Sequence, residues 1–142
     1  MFGNDKIILA SSSPRRKKLL LKIGLEPIKI ISPNIDEKKI DTFPISKRVV
    51  EIAVKKAIHV KEKNNIKDFY ILSCDNIVAR AGRVYEKTNE KKKIRNYLKD
   101  LSGRKHFVYG GICLLTPSGM IHKKLVTTEV FFKRLSKNEI ND

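Results

Sequence analysis

The stretch of residues 6–24, KIILASSSPRRKKLLLKIG, decides the fold, because it joins a short strand to a helix through three serines. The apolar run at 7–10 is typical of a buried strand. Ser13 suits the N-cap of a helix, and Pro14 suits its first position. The helix is predicted to stop at Gly24, because glycine readily adopts the left-handed conformation that ends helices. A strand that leads directly into a helix is typical of an α/β or α+β domain.

The rest of the chain alternates between strand-like and helix-like patterns. In chain order these are a strand at 27–32, a polar loop at 33–44, a helix at 45–64, a strand at 69–74, a hairpin at 76–85, a helix from 88 to 101, and a hairpin of 105–115 with 121–135. This succession predicts an α/β (α+β) class with a mixed sheet. We find no repeat, linker or second domain, so residues 1–142 are expected to form a single domain.

Length and composition narrow the class of protein. A chain of 142 residues with 41% apolar residues can build a core and is not expected to be disordered. No apolar run approaches the roughly 18 residues of a membrane span, and the run at 7–10 is too short for a signal peptide. Cys74 and Cys113 lie in apolar surroundings and are expected to be reduced thiols. The sequence therefore predicts a cytoplasmic protein with no membrane partner.

The charge of the chain has three interpretations. The net charge is +16 and the isoelectric point is about 10.0, which favours a nucleic-acid-binding protein. An enzyme for a polyanionic small molecule, such as a nucleoside triphosphate, is the second interpretation. The third is compositional, because 23 Lys stand beside 8 Arg, 18 Ile and 9 Asn, and Ile, Lys and Asn have AT-rich codons. No aromatic residues are interleaved with the lysine runs to stack bases, so we expect solvated lysines rather than a nucleic-acid partner.

The first candidate for chemistry is the run Ser11-Ser12-Ser13 with Arg15 and Arg16. A helix N-terminus presents free N–H groups and a positive dipole end to an anion such as phosphate. Two arginines in the first turn oppose that dipole, which indicates a compensating anion that their guanidinium groups could bind. A capped helix with two solvated arginines fits the spacing equally well.

Carboxylates and lysines supply the other candidates. Asp75 follows a buried strand, where α/β sheets place ligands, and could bind a divalent metal ion or activate water; an Asx-turn is the other interpretation. Glu37 lies in a polar loop and is either a second carboxylate of the site or a solvated charge. Lys56 and Lys87 do not stand out among 23 lysines by physical argument alone. The histidines show no zinc-ligand spacing, and no Walker P-loop is present.

The order of these motifs resembles the Maf family of nucleoside triphosphate pyrophosphatases, also described as septum-formation inhibitors. The segments that carry the resemblance are 8–16, 35–37, 52–57, 73–76, 82–87, 101–106 and 126–132. They span essentially the whole chain, and the ordered set is more specific than any one of them. The resemblance implies a Maf/ITPase-like fold, with an elongated mixed β-sheet flanked by helices.

The resemblance also implies an activity. It is hydrolysis of the bond between the α and β phosphates, which gives a nucleoside monophosphate and pyrophosphate and depends on a divalent metal cation (Mg²⁺ or Mn²⁺). The Ser-Pro-Arg-Arg run looks most like the branch that acts on dTTP and UTP, and the family's role implies nucleotide-pool sanitising with a link to cell-division arrest. By family position, Ser11, Arg15 and Arg16 would hold the triphosphate, Lys56 and Lys87 would neutralise its charge, Asp75 would accept the proton of the attacking water and bind metal, and Glu37 would help to bind metal.

The chain departs from the family pattern at two residues and at its end. Asn76 and Thr88 stand where the family usually has Thr and Pro. Residues 136–139 form a capping box, the signature of a helix start, but the chain ends three residues later. We therefore expect a chain that lacks the C-terminal quarter usual in the family. A catalytically impaired nucleotide-binding remnant and a basic nucleic-acid-binding module are the alternative functions, and a homodimer is left open.

Overall fold

The computed structural model describes residues 6–142. The strands are β1 (Ile7–Ala10), β2 (Lys29–Ile31), β3 (Tyr70–Arg80), β4 (Arg83–Tyr85), β5 (Lys105–Leu115) and β6 (Ile121–Phe131). The helices are α1 (Pro14–Lys22), α2 (Ile45–Lys63), α3 (Lys91–Leu101) and α4 (Lys137–Asn141), and residues Glu37–Lys39 form a single 3₁₀ turn. Among the described residues, no helix is long and apolar enough to span a membrane.

The strands form one six-stranded sheet. Its order is β2-β1-β3-β5-β6, and β4 pairs with β3 off this path. β1 runs parallel to both of its neighbours, with Ala10 opposite Ile31 on one side and Ser73 on the other. β4 is antiparallel to β3, so the sheet is mixed. The predicted α/β class with a mixed sheet and flanking helices is confirmed.

The chain divides into two compact units, which we describe separately. The first unit contains the described residues up to 75 together with 110–125, and the second contains 76–109 and 126–142. That residues 1–142 form a single domain stays a prediction.

The first unit has its core between α2 and the sheet. One face of α2 is buried at helical spacing, as its apolar residues predicted. The core cluster consists of Ile8, Ala10, Ala53, Ala57, Val60, Ile71, Cys113 and Leu115. Alanines 53 and 57 have the small side chains that allow α2 to approach the strands closely. The Cys113 thiol is fully buried, and burial raises its pKa.

The second unit is organised around the Asp100 carboxylate, on α3. It accepts a hydrogen bond from the Tyr85 hydroxyl and lies within 3.2 Å of the Arg83 guanidinium. The Tyr85 hydrogen bond and the neighbouring arginines lower the pKa of Asp100. His106 is 4% exposed and packs edge-on against the Phe132 ring, and burial lowers its pKa. This unit is therefore held together by a polar network as well as by aromatic packing.

The structure differs from the sequence prediction in several local details, and β2 and α3 also begin two and three residues later than predicted. β3 is one continuous strand through residue 80, where the sequence predicted a strand to 74 and a separate hairpin. β6 ends at Phe131, and residues 132–135 are not strand. Ser13 occupies the N-cap of α1, but its side chain makes no capping hydrogen bond. The capping box at 136–139 is confirmed, because the Ser136 and Glu139 side chains bond each other's backbone N–H groups.

Gly111 on β5 lies directly against the backbone of α2. A Cβ atom added at Gly111 would lie 2.3 Å from the Val49 carbonyl oxygen and 2.9 Å from the Val50 Cα. Both contacts are with helix backbone, which cannot rotate away as a side chain does. Only glycine therefore lets α2 lie this close to β5.

We expect Gly111→Ala to lower the free energy of unfolding by about 1–3 kcal/mol, because the helix must move or the strand must bend. Thermal and urea unfolding measure the change. The double variant Val49→Ala/Gly111→Ala tests the cause: since the clash is with backbone, shortening the Val49 side chain should restore no stability. Wild-type stability in Gly111→Ala would contradict the close approach.

Candidate active site

The Lys56 ammonium group lies between two carboxylates. Its Nζ is 2.9 Å from Asp75 Oδ1, to which it donates a hydrogen bond, and 2.7 Å from Glu37 Oε1. The Lys56 side chain is 7% exposed and that of Asp75 is 3% exposed, whereas Glu37 is 46% exposed. We call these three residues the Glu37–Lys56–Asp75 triad; among residues 6–142, Lys56–Asp75 is the only ion pair in which both side chains are less than a tenth exposed.

The packing of α2 on β3 brings Lys56 and Asp75 together. The Ser73 hydroxyl donates to the carbonyl of Ala53 and so ties the strand to the helix. Asp75 is two residues beyond Ser73, on the same face of the strand, and Lys56 is three residues beyond Ala53, on the same side of the helix. One buried hydrogen bond therefore sets the register of the ion pair.

Asp75 lies in the middle of β3, not at the end of a strand as predicted from the sequence. The prediction took the polar pair Asp75-Asn76 as a strand terminus. A carboxylate is tolerated inside the strand here because it is ion-paired with Lys56 rather than left unsatisfied. Because Asp75 is part of a strand that continues to residue 80, the alternative of an Asx-turn is wrong.

The loop that carries Glu37 is fastened to α2 at its far end. Ile40 is 7% exposed and anchors the loop in the core. The Thr42 hydroxyl donates to the Glu51 carboxylate, and Arg48 Nε donates to the Thr42 carbonyl at 3.0 Å. Glu51 is in turn ion-paired with Lys55 at 2.9 Å. These contacts, which we call the loop clamp, hold Glu37 within reach of Lys56 even though Glu37 itself is half-exposed.

The serine loop lies after β1. Ser11 is 2% exposed, and its hydroxyl oxygen accepts from the Ser13 backbone N–H at 3.1 Å and from Arg16 Nη1 at 3.2 Å. A cavity of about 370 Å³ opens here, lined by Ser11, Ser12, Ser13, Pro14, Lys17, Ile30 and Ser32. Since Ala10 is paired with Ser73 in parallel register, the serine loop and Asp75 lie toward the same end of the β1–β3 pair. The first unit thus contains hydroxyls, an arginine and the triad in one region.

The predicted site residues fall into two groups. Ser11 and Arg16 contact each other, and Lys56 contacts both Glu37 and Asp75. Arg15 is on the exposed side of α1 and is not brought to either group by a hydrogen bond or ion pair among the described residues. Lys87 is exposed and belongs to the second unit, on the segment after β4. The functional roles of all seven predicted site residues stay predictions.

Two carboxylates of the triad could help to bind a divalent cation. Mg²⁺ prefers oxygen ligands and usually takes one or two protein carboxylates, filling its other positions with water and substrate phosphates. Glu37 and Asp75 supply such a pair, since both direct oxygens to the same point, where the Lys56 ammonium lies. Within residues 6–142 there is no cluster of three or more His, Cys, Asp or Glu residues that could form an all-protein metal site. The donor set therefore fits a metal ion shared with a phosphate ligand.

A family model described as "Maf-like protein" matches residues 6–142. The chain belongs to the Maf family. A Maf relative named "dTTP/UTP pyrophosphatase" from Chelativorans sp. (strain BNC1) is 40% identical over 144 aligned residues, which cover 99% of this chain and 69% of the relative. Another, named "Nucleoside triphosphate pyrophosphatase", from Ehrlichia canis (strain Jake), is 39% identical and covers 99% of this chain and 72% of its own length.

A solved structure of a HAM1 protein from Coxiella burnetii has a similar fold to this Maf chain. The TM-score is 0.62 at 17% sequence identity, and the match covers 89% of this chain and 72% of that one. At this identity the likeness concerns the fold alone. Together with the family match, it confirms the Maf/ITPase-like fold that the sequence resemblance implied.

Sequence reasoning missed the residues that position the triad. The Glu51–Lys55 pair has the i, i+4 spacing of a helix salt bridge and could have been found from the sequence. Thr42 and Ser73 gave no such signal, because their partners are 9 and 20 residues away in the chain.

We expect Glu51→Gln to weaken the loop clamp. The hydrogen bonds from Lys55 and Thr42 lower the pKa of Glu51 in the folded protein. The ionised carboxylate therefore contributes its full stabilisation when the pH is above the pKa of Glu51 in the unfolded chain. That stabilisation is lost as the pH falls through the lower pKa of the folded protein. The variant should lose about 0.5–1 kcal/mol at neutral pH, since the pair is partly solvated. Urea unfolding at pH 7 and below pH ~4 should show this loss shrinking with acidity. Glu62→Gln, an exposed carboxylate on the same helix, is the matched control and should change neither value.

Proposed function

We propose that this chain is a nucleoside triphosphate pyrophosphatase that releases pyrophosphate from dTTP, UTP or modified nucleotides. The observation that carries the proposal is the buried Lys56 ammonium between Glu37 and Asp75, with the serine loop toward the same end of β1 and β3. Phosphoryl transfer chiefly requires charge neutralisation and a positioned nucleophile, and the residues of this unit are of the types that supply both. The names of the Maf relatives support the same reaction.

Asp75 is proposed as the proton acceptor. Its Oδ1 accepts from Lys56, and no hydrogen bond to its Oδ2 is found within residues 6–142. A buried carboxylate with one oxygen fixed and the other available can take the proton of an attacking water as the oxygen–phosphorus bond forms. The leaving group is then pyrophosphate, and the nucleoside monophosphate keeps the new oxygen.

The serine loop is proposed to bind the phosphates. The Ser11 hydroxyl and the Arg16 guanidinium already contact each other, so they present a donor pair with little freedom left to lose on binding. Arg15 is one residue away on the first turn of α1 and would add a second guanidinium. Lys56 and, by family position, Lys87 would neutralise further phosphate charge.

Glu37 and Asp75 are proposed to hold a divalent metal ion together with the substrate phosphates. When bound, such an ion would supply positive charge to the phosphate oxygens and help to orient the phosphates for in-line attack. The loop clamp then has a functional purpose, because it keeps a half-exposed carboxylate at a fixed place.

Several finer properties remain proposals drawn from the family. These are nucleotide-pool sanitising, a link to cell-division arrest, a cytoplasmic location and homodimer formation.

Asp75→Asn tests the proposed reaction. The amide keeps the shape of the side chain but cannot accept the proton, so pyrophosphate release should fall by about 10²–10⁴-fold. The measurement is a pyrophosphate-release screen across canonical and modified triphosphates, with and without Mg²⁺ or Mn²⁺. Asp68→Asn makes the same substitution at an exposed carboxylate of the same unit and should leave the rate unchanged.

Two outcomes would count against this function. Absence of pyrophosphate release from every nucleotide tested would overturn catalysis. A thermal shift with nucleotide but no turnover would instead support the nucleotide-binding remnant predicted as an alternative from the sequence.

A further inference from the structure

The Lys56 ammonium already satisfies the two carboxylates that a metal ion would need. It is within 2.9 Å of an oxygen of each, and its side chain is 7% exposed. With one ammonium and two carboxylates, the triad has a net charge of −1. Asp75 is 3% exposed, so its oxygens have little access to other cations or to bulk water.

We propose that Lys56 is an internal counter-ion that competes with a divalent cation for Glu37 and Asp75, an inference that rests on the proposed pyrophosphatase site. In the nucleotide-free protein the ammonium holds the carboxylate pair closed and weakens metal binding. A triphosphate removes this competition, because its oxygens are an alternative acceptor for the ammonium. Metal and nucleotide then bind with positive coupling through one side chain.

The packing of α2 fixes the backbone of Lys56 but allows the ammonium group at the tip of its side chain to move. The Ser73 hydroxyl bonds the Ala53 carbonyl one turn before Lys56, and Gly111 brings the same helix against β5. Beyond this fixed backbone, Lys56 has a flexible four-carbon side chain with a compact charge at its tip. A small rotation of that side chain can therefore carry the ammonium from the carboxylates to a neighbouring phosphate.

Electrostatics makes the competition substantial. A buried ammonium separated from its carboxylates is unfavourable unless another anion receives it. A metal ion that enters without nucleotide must displace Lys56 and leave it without an acceptor. The same ion entering with a triphosphate meets no such penalty, since the phosphate oxygens receive Lys56.

Mn²⁺ alone, without nucleotide, is the probe. Binding is measured by the loss of the free Mn²⁺ electron paramagnetic resonance signal in wild type, Lys56→Met and Lys63→Met. We expect Lys56→Met to bind Mn²⁺ roughly tenfold or more tightly than wild type, in keeping with the coupling measured for close charge pairs. Lys63→Met removes the same charge at an exposed position of the same helix that belongs neither to the triad nor to the loop clamp, so its affinity should stay near that of wild type.

Two results would overturn the proposal. One is equal or weaker Mn²⁺ binding by Lys56→Met, which would mean that Lys56 supports the metal site rather than competing for it. The other is an equal gain in Mn²⁺ affinity in both variants, which would mean that removing any positive charge from the chain strengthens Mn²⁺ binding.

Wild-type protein provides a second measurement that does not depend on the variant folding. Acetic anhydride labels lysines according to how free and accessible their amines are, and mass spectrometry compares Lys56 with Lys55. Adding Mg²⁺ should raise the labelling of Lys56 relative to Lys55, because the metal displaces the Lys56 ammonium from its carboxylates. An unchanged or lower ratio contradicts the competition.

Both readouts are independent of turnover. Tighter Mn²⁺ binding by Lys56→Met in a chain that releases no pyrophosphate would uphold the competition and reject the proposed function. Pyrophosphate release by wild type, with no gain in Mn²⁺ affinity in Lys56→Met, would uphold the proposed function and reject the competition.

Discussion

The ion pair between Lys56 and Asp75 is the interaction on which the candidate site depends. A lysine and an aspartate that are each less than a tenth exposed are unfavourable in a protein interior unless they satisfy each other. Their pairing therefore requires α2 and β3 to keep one register. Ser73 and Gly111 enforce that register from two sides, by a hydrogen bond and by a close backbone approach. The same packing of α2 on the sheet therefore builds the core and positions the ion pair of the candidate site.

Glu37 reaches this buried pair from a surface loop, so the two carboxylates of the site are positioned by different means. Asp75 belongs to β3, which lies between β1 and β5 in the sheet, and it follows two residues after the β1–β3 pairing ends at Ser73, so the sheet fixes its backbone position. The position of Glu37 is set by the buried Ile40 side chain and by the loop clamp. A carboxylate on a strand suits proton transfer, which needs a constant position. A carboxylate on a clamped loop is also held in place, but its half-exposed side chain stays accessible from solvent.

The sequence predicted local features well and long-range ones poorly. The apolar periodicity of α2 and the capping box at 136–139 both lie within a few turns of chain, and both appear in the structure. Lys56 could not be separated from 22 other lysines, because its burial depends on partners 19 residues away on either side in the chain. Asp75 was placed at a strand end because an isolated polar residue usually ends a strand. Only the family resemblance connected these positions.

The distribution of charge along the chain limits what this site can bind. The net charge of +16 is spread mostly over exposed lysines, whereas the triad itself is negative by one charge. Arg16 beside Ser11 brings the combined charge of the contacting site residues to zero. A triphosphate carries several negative charges, so these side chains cannot neutralise it alone. Apart from Arg15 and Lys87, whose roles are predicted by family position, the exposed basic residues attract the anion only from a distance, where salt screens them. A nucleotide that arrives with its own divalent cation would supply the remaining positive charge, and in the proposed competition the Glu37–Asp75 pair would receive that cation once Lys56 turns to the phosphates.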